Sequence, residues 1–113
     1  MGRLEKASEH AVDELGSVEC AQDPSGVTVV RLVGEIDISN ADALGEALDG
    51  IVKDAPAALV IDLVALEFMD SSGIAMLLRT AGSTGSIEIR NPSDVVRRII
   101  ECTGLADVLR IES

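Results

Sequence analysis

Ala57–Val64 (AALVIDLV) holds one charged residue among seven apolar ones, and that run narrows the folds open to this chain. A strand with one wet face alternates polar and apolar residues. A nearly continuous apolar run suits a central parallel strand covered on both faces. Parallel neighbours need crossover connections, usually helices, so the run calls for an α/β layer. After Ala65–Met69 comes Asp70-Ser71-Ser72-Gly73, followed by a second apolar run, Ile74–Leu78 (IAMLL). The order reads strand, turn, helix, with two hydroxyls at a helix N-terminus.

The flanking sequence fits the same layer. Leu15–Ala21 and the β-branched-rich run Val27–Val33 are joined by Gln22-Asp23-Pro24-Ser25-Gly26, so they are expected to form a hairpin. Ser39 is expected to cap a helix running to about Ala55, with Asp42 in its first turn. Leu44, Leu48, Ile51 and Val52 share one face of that helix, and Glu46, Asp49 and Lys53 the other. Ser86–Arg90 reads as a short strand. Asn91-Pro92 opens a helix whose apolar face is Val95, Ile99 and Ile100, with Gly104 as its stop. Leu105–Ile111 closes as a helical turn and an edge strand. Met1–Glu14 is polar and weakly periodic and reads as a tail or a loosely docked helix, leaving residues 15–113 as the folded domain. The expected fold is one small α/β layer: a mixed, mostly parallel sheet of about four to five strands with an N-terminal hairpin, covered by three to four helices.

At 113 residues the chain makes one domain. Phe68 is its only aromatic residue, so the core must come from Leu, Ile, Val and Ala, and the stacking platforms of single-strand nucleic-acid binders are missing. A net charge of −11 opposes binding to nucleic acid and to anionic membrane surfaces. Cys20 and Cys102 stand in no metal-ligand spacing and read as small core hydrophobes rather than a disulfide. Met1–Glu14 has no apolar segment of a secretory signal, and no run approaches membrane-spanning length, so a cytoplasmic location is expected.

In such a layer Gly34–Asp37, Asp70–Gly73 and Asn91–Ser93 are expected to converge at the carboxyl ends of the strands, where open sheets bind ligands. Hydrolysis at Ser71 or Ser72 needs a base; the only histidine, His10, lies in the N-terminal segment, and there is no Gly-x-Ser-x-Gly elbow. Neither a P-loop nor a Gly-x-Gly-x-x-Gly run occurs. Glu35, Asp37 and Asp70 are dispersed carboxylates that capping explains more often than a metal does. No catalytic residue, metal or cofactor is therefore assigned. Covalent modification remains: a serine at a capped helix start accepts a phosphate of about −1.5 to −2 charges without harm to the helix. On the four residues alone, an ordinary helix start with Asp70 as cap, and Gly73 permitting close helix–sheet packing, is the commoner reading.

Three segments in order, VVRLVGEIDISNADAL (Val29–Leu44), LVIDLVALEFMDSSGIAMLL (Leu59–Leu78) and NPSDVVRRIIECTGL (Asn91–Leu105), resemble the STAS domain family, in particular the stand-alone bacterial anti-sigma factor antagonists. The resemblance implies that Ser71 is the phosphoacceptor, with Asp70, Ser72 and Gly73 as its neighbours at the helix start. It implies an anti-sigma factor with serine kinase activity as partner, which holds the ATP, and a phosphatase that resets the switch. The expected partner surface is Glu35, Asp37, Ser39, Met69, Ile74, Met76 and Asn91. The family's alternative is a constitutive STAS scaffold in a signalling or lipid-transport assembly, where Ser71 only starts a helix. Compared with the family, the segment from Ile74 to the next strand is shorter by about one turn of ~3.6 residues, ending in Gly82-Ser83-Thr84-Gly85.

Overall fold

The computed structural model describes residues 5–12, 15–22, 24, 26–54, 58–82, 86–102 and 110–112. The expected hairpin is present as β2 (Gly16–Gln22) and β3 (Thr28–Ile36), paired antiparallel from Gly16↔Gly34 to Gln22↔Thr28. The apolar run gives β4 (Ala58–Asp62), parallel to β3 on one side and to β6 (Ser86–Arg90) on the other. Leu59, Val60 and Ile61 are consecutive and all buried, so both faces of β4 are covered. β7 (Arg110–Glu112) adds in parallel to β6. Two further strands bring the sheet to seven among the described residues. One is β5 (Leu66–Met69), parallel to the end of β3. The other is β1 (Glu5–Val12), antiparallel to β2 at the sheet's edge. The N-terminal segment is thus a strand over Glu5–Val12, not a tail or a helix; His10 lies in it.

The helices are α1 (Ala41–Asp54), α2 (Ser71–Gly82) and α3 (Asp94–Cys102). Leu44, Leu48 and Ile51 of α1 are buried and Glu46, Asp49 and Lys53 exposed, as the spacing predicts. α3 is rotated from its expected face: Val96 and Ile100, one turn apart, form the buried stripe with Ile99 half-buried beside it, while Val95 lies off that stripe and is exposed. The Ser93 hydroxyl accepts from Val96 N (3.2 Å) and its carbonyl from Arg97 N (2.8 Å), so Ser93 caps the helix, two residues after Asn91, where the helix was expected to open. The expected stop at Gly104 and the helical turn after Leu105 lie outside the described residues.

The core joins Val30, Leu32, Ile36, Leu44, Leu48, Ile61, Leu63, Leu66, Leu77 and Ile89, with Met69 and Met76 filling it in place of aromatics. Phe68 is 42% exposed and outside it. Cys20 packs against the core, and burial pushes its thiol pKa up. Cys102 is exposed rather than a core hydrophobe. Both thiols are free.

One glycine decides where β3 goes. Gly34 has φ +89°, a region that favours glycine. Its N–H donates to Ala65 O, and Glu35 N–H to Leu15 O, both at 2.9 Å. The β3–β5 register shifts here, from Gly34↔Leu66 to Glu35↔Phe68. Beyond that kink β3 runs beside β5, which sets Ile36 against Met69 and carries the following turn to the Asp70 motif.

Candidate functional site

The end of β5 delivers Asp70 to the start of α2. Asp70 N–H donates to Ile36 O (3.1 Å), which ties the motif to the end of β3. Asp70 Oδ1 accepts from Ser72 N–H (2.8 Å), and Asp70 O accepts from Gly73 N (3.1 Å) and Ile74 N (3.2 Å). This is an N-cap made by side chain and carbonyl together. Asp70→Ala is expected to cost about 0.5–2 kcal/mol. Equal melting temperatures for this variant and wild type would remove the cap from the account.

Ser71 is the first helical residue and is exposed; Ser72 is half-buried. Gly73 is buried, and a Cβ there would lie 2.9 Å from Met69 Cβ and 3.2 Å from Ile36 Cγ2. Alanine for glycine inside a helix ordinarily gains up to about 1 kcal/mol. Here the overlap reverses the sign, and Gly73→Ala is expected to destabilise by about 1–2 kcal/mol. Denaturant titration measures it; a stabilised variant would mean that the helix backs off the sheet freely.

The turn from β3 into α1 is bonded to itself. Asp37 Oδ1 accepts from both the N–H and the hydroxyl of Ser39. Asp37 N–H donates to Asn40 Oδ1 (2.9 Å), and Asn40 Nδ2 donates to Glu35 O (2.9 Å). Asn40 is 1% exposed, and its carbonyl accepts from Leu44 N (3.0 Å) as the first helical bond of α1. The cap position therefore belongs to Asn40, one residue after the expected Ser39, because its amide satisfies both Asp37 N–H and Glu35 O. Ile38, held in this turn, is 82% exposed. Between the starts of α1 and α2 lies a groove of about 200 Å³, lined by Ile38, Ala41, Asp42, Ser72, Ala75, Met76 and Arg79.

Two of the three expected loops meet here; the third does not. In the register, Arg90 of β6 is level with Asp62, and Asp62 with Arg31. β6 therefore ends five residues short of Ile36, about 16 Å at strand rise. Asn91, at φ +59°, donates to Asp62 Oδ1 (3.2 Å), and the other oxygen of Asp62 faces Arg31 Nη2 at 3.4 Å. Asn91 is exposed but stands on that separate ledge.

Of the residues expected to form a partner surface, Glu35 and Ser39 are exposed and Asp37 half-buried beside the Ser71 motif. Met69, Ile74 and Met76 are corrected: Met69 is 0% exposed, Met76 1%, and Ile74 is buried with them. Met69 ends β5 beside Ile36, and α2 turns Ile74 into the core and Met76 toward Gly45 of α1, so these side chains are buried while Ser71 and Ala75 stay outside. Ile38 and Arg79 take their place at the surface; an isolated apolar residue between Asp37 and Ser39, ahead of a helix, was the signal for Ile38.

The β3–α1 turn already employs the Asp37 carboxylate and the α2 cap that of Asp70, and among the described residues no group of three His, Cys, Asp or Glu could hold a metal. Nor, among them, is any helix long and apolar enough to cross a membrane. What is left is a small α/β domain that offers one serine on a fixed helix start beside a shallow groove. The chain belongs to the STAS domain family: the family description "Mlab, STAS domain" matches residues 20–111. It is 40% identical over 94 residues to the anti-sigma-F factor antagonist RsfB of Mycobacterium tuberculosis, covering 80% of this chain and 77% of that one. It is 32% identical to the anti-sigma-B factor antagonist of Bacillus subtilis, covering 74% of this chain and 80% of that protein. The crystal structure of an anti-sigma factor antagonist from Mycobacterium paratuberculosis superposes with a TM-score of 0.78 at 35% identity, covering 89% of this chain and 88% of the other.

Proposed function

We propose that this chain is an anti-sigma factor antagonist that works by phosphorylation-controlled partner switching in the cytoplasm. With Ser71 unmodified, it binds an anti-sigma factor that is also a serine kinase and so frees a sigma factor; phosphorylation of Ser71 releases that partner, and a phosphatase restores the binding form. The observation that carries this reading is the exposed Ser71 at the first position of α2, on a backbone fixed by Asp70. The names of the relatives support the same class of activity.

The chemistry is the partner's. A kinase sets the acceptor hydroxyl in line with the terminal phosphoryl group of its nucleotide. The Ser71 oxygen forms the new O–P bond, the bond to the diphosphate leaving group breaks, and the hydroxyl proton passes to a base on the kinase. This chain contributes a presented hydroxyl and no cofactor. After transfer, the phosphoserine dianion faces the nucleoside diphosphate left in the partner's site, and like charges at close range drive the two proteins apart. The helix N-terminus meanwhile tolerates the new charge, so release needs no change of fold.

The test is affinity capture from the host's own lysate with wild type and Ser71→Asp side by side. Wild type should retain an ATP-binding, kinase-like protein that the variant does not. If both retain the same protein, Ser71 is structural and the chain is a constitutive scaffold.

A further inference from the structure

The turn that joins β3 to α1 holds the most exposed large apolar side chain of the described residues, Ile38 at 82%. Nothing about the turn is loose. Asp37 and Asn40 close it with side-chain bonds to Ser39, to Asp37 N–H and to Glu35 O, and Ala41 N–H donates to Asp37 O at 2.9 Å. An apolar residue on a flexible loop loses backbone as well as side-chain entropy when a partner immobilises it; one on a fixed turn loses only the side-chain part, and that difference goes into affinity. A branched aliphatic side chain held in water by a rigid frame is therefore suited to insertion into another surface.

Its surroundings say which surface. Ile38 and Ser72 line the same groove, which makes the isoleucine continuous with the hydroxyl-bearing start of α2. Around Ile38 the rim is mainly acidic, with Glu35 and Asp42 exposed and Asp37 half-buried; Arg79, the single cation among the described residues lining the groove, lies on its α2 side. A second copy of this chain would bring the same acidic rim and a net charge of −11, and like-charged rims repel. An apolar socket ringed by Lys or Arg matches both the side chain and its border.

We infer that Ile38 is the apolar anchor by which this chain docks on its anti-sigma partner, in a socket bordered by basic groups, while Ser71, the neighbour of the groove-lining Ser72, acts as the switch. The inference rests on the partner-switching reading and divides its labour: Ile38 supplies affinity and Ser71 supplies control. Because the anchor is outside the core, it can change without touching the fold, and the acidic rim makes association faster at low salt.

The experiment uses the anti-sigma factor retained by wild type in the capture above, purified, with affinities measured for wild type, Ile38→Ala, Ile38→Val and Ser71→Asp. Ile38→Ala should bind at least tenfold more weakly at an unchanged melting temperature, with Ile38→Val recovering most of the loss. A loss of less than tenfold for Ile38→Ala, with Ser71→Asp still abolishing binding, overturns the anchor and leaves the switch standing. The converse pattern, in which Ile38→Ala weakens binding and Ser71→Asp does not, keeps the anchor and removes the switch. Sedimentation of the chain alone gives the last arm: a wild-type dimer that Ile38→Ala dissociates assigns Ile38 to a second copy and overturns the inference.

Discussion

Replacing Gly34 with alanine is expected to destabilise the protein by about 3–5 kcal/mol, a large part of the roughly 5–15 kcal/mol that holds a domain of this size together. Two costs fall on one atom. At φ +89° an L side chain is strained, at about 1–3 kcal/mol. The added Cβ would also stand 2.1 Å from Leu15 O and 3.1 Å from Gly16 Cα. Those are backbone atoms of a paired strand end, so no side chain can swing away to make room. Relief requires parting β2 from β3, which breaks the bond from Glu35 N–H to Leu15 O. Gly26→Ala is the control that separates the two costs, since Gly26 has φ +91° but nothing within 4 Å of its Cβ position. It should lose only the strain. Urea unfolding of both variants gives the comparison; similar losses would mean that β2 and β3 part at little cost. Because the kink at Gly34 carries the Asp37 turn to the Asp70 motif, surviving Gly34→Ala protein should bind its partner poorly as well.

The features readable in advance were those encoded over short spans. The apolar run that became β4, the Pro-Gly linker of the hairpin, the amphipathic face of α1 and the capped start at Asp70 each need only neighbouring residues to be recognised. Those that escaped depend on partners distant in sequence. Glu5–Val12 (EKASEHAV) has charged residues and few β-branched ones, and it is a strand because β2 offers it an edge. The separation of Asn91 from Ser71 follows from where β6 ends relative to β3, and strand register across crossovers leaves no local mark. Met69, Ile74 and Met76 are close to Ser71 in sequence, yet the helical period of 3.6 residues puts Ile74 and Met76 at the two edges of the buried arc of α2, Met76 against α1, while Ala75 faces outward. Ile38 went the other way: alternation along β3 puts Ile36 in the core, and the turn bonded through Asp37 and Asn40 leaves the next isoleucine in water.

Placing a negative charge on Ser71 should lower affinity for the anti-sigma partner by about a hundredfold or more, the range of about 2–5 kcal/mol seen when an interface must bury an unpaired charge. Ser71→Asp adds one charge and phosphate about −1.5 to −2, so the phosphorylated protein should bind more weakly than the variant. Folding should move in the opposite direction or not at all, because an acidic group in the first turn of a helix is favoured by about 0.3–1 kcal/mol. Ser71→Ala should bind and melt like wild type but accept no phosphate, since the cap is made by Asp70 and not by the serine. Ser72 provides the discriminating control: it lines the groove and is half-buried, whereas Ser71 is exposed. Incubation with the partner and ATP, followed by peptide mass analysis, should therefore find phosphate on Ser71 in wild type and in Ser72→Ala, and none in Ser71→Ala. Phosphate on Ser72, or release of the partner from Ser71→Ala on adding ATP, would move the switch one residue into the groove, where a phosphate would face Asp42 as well as Arg79.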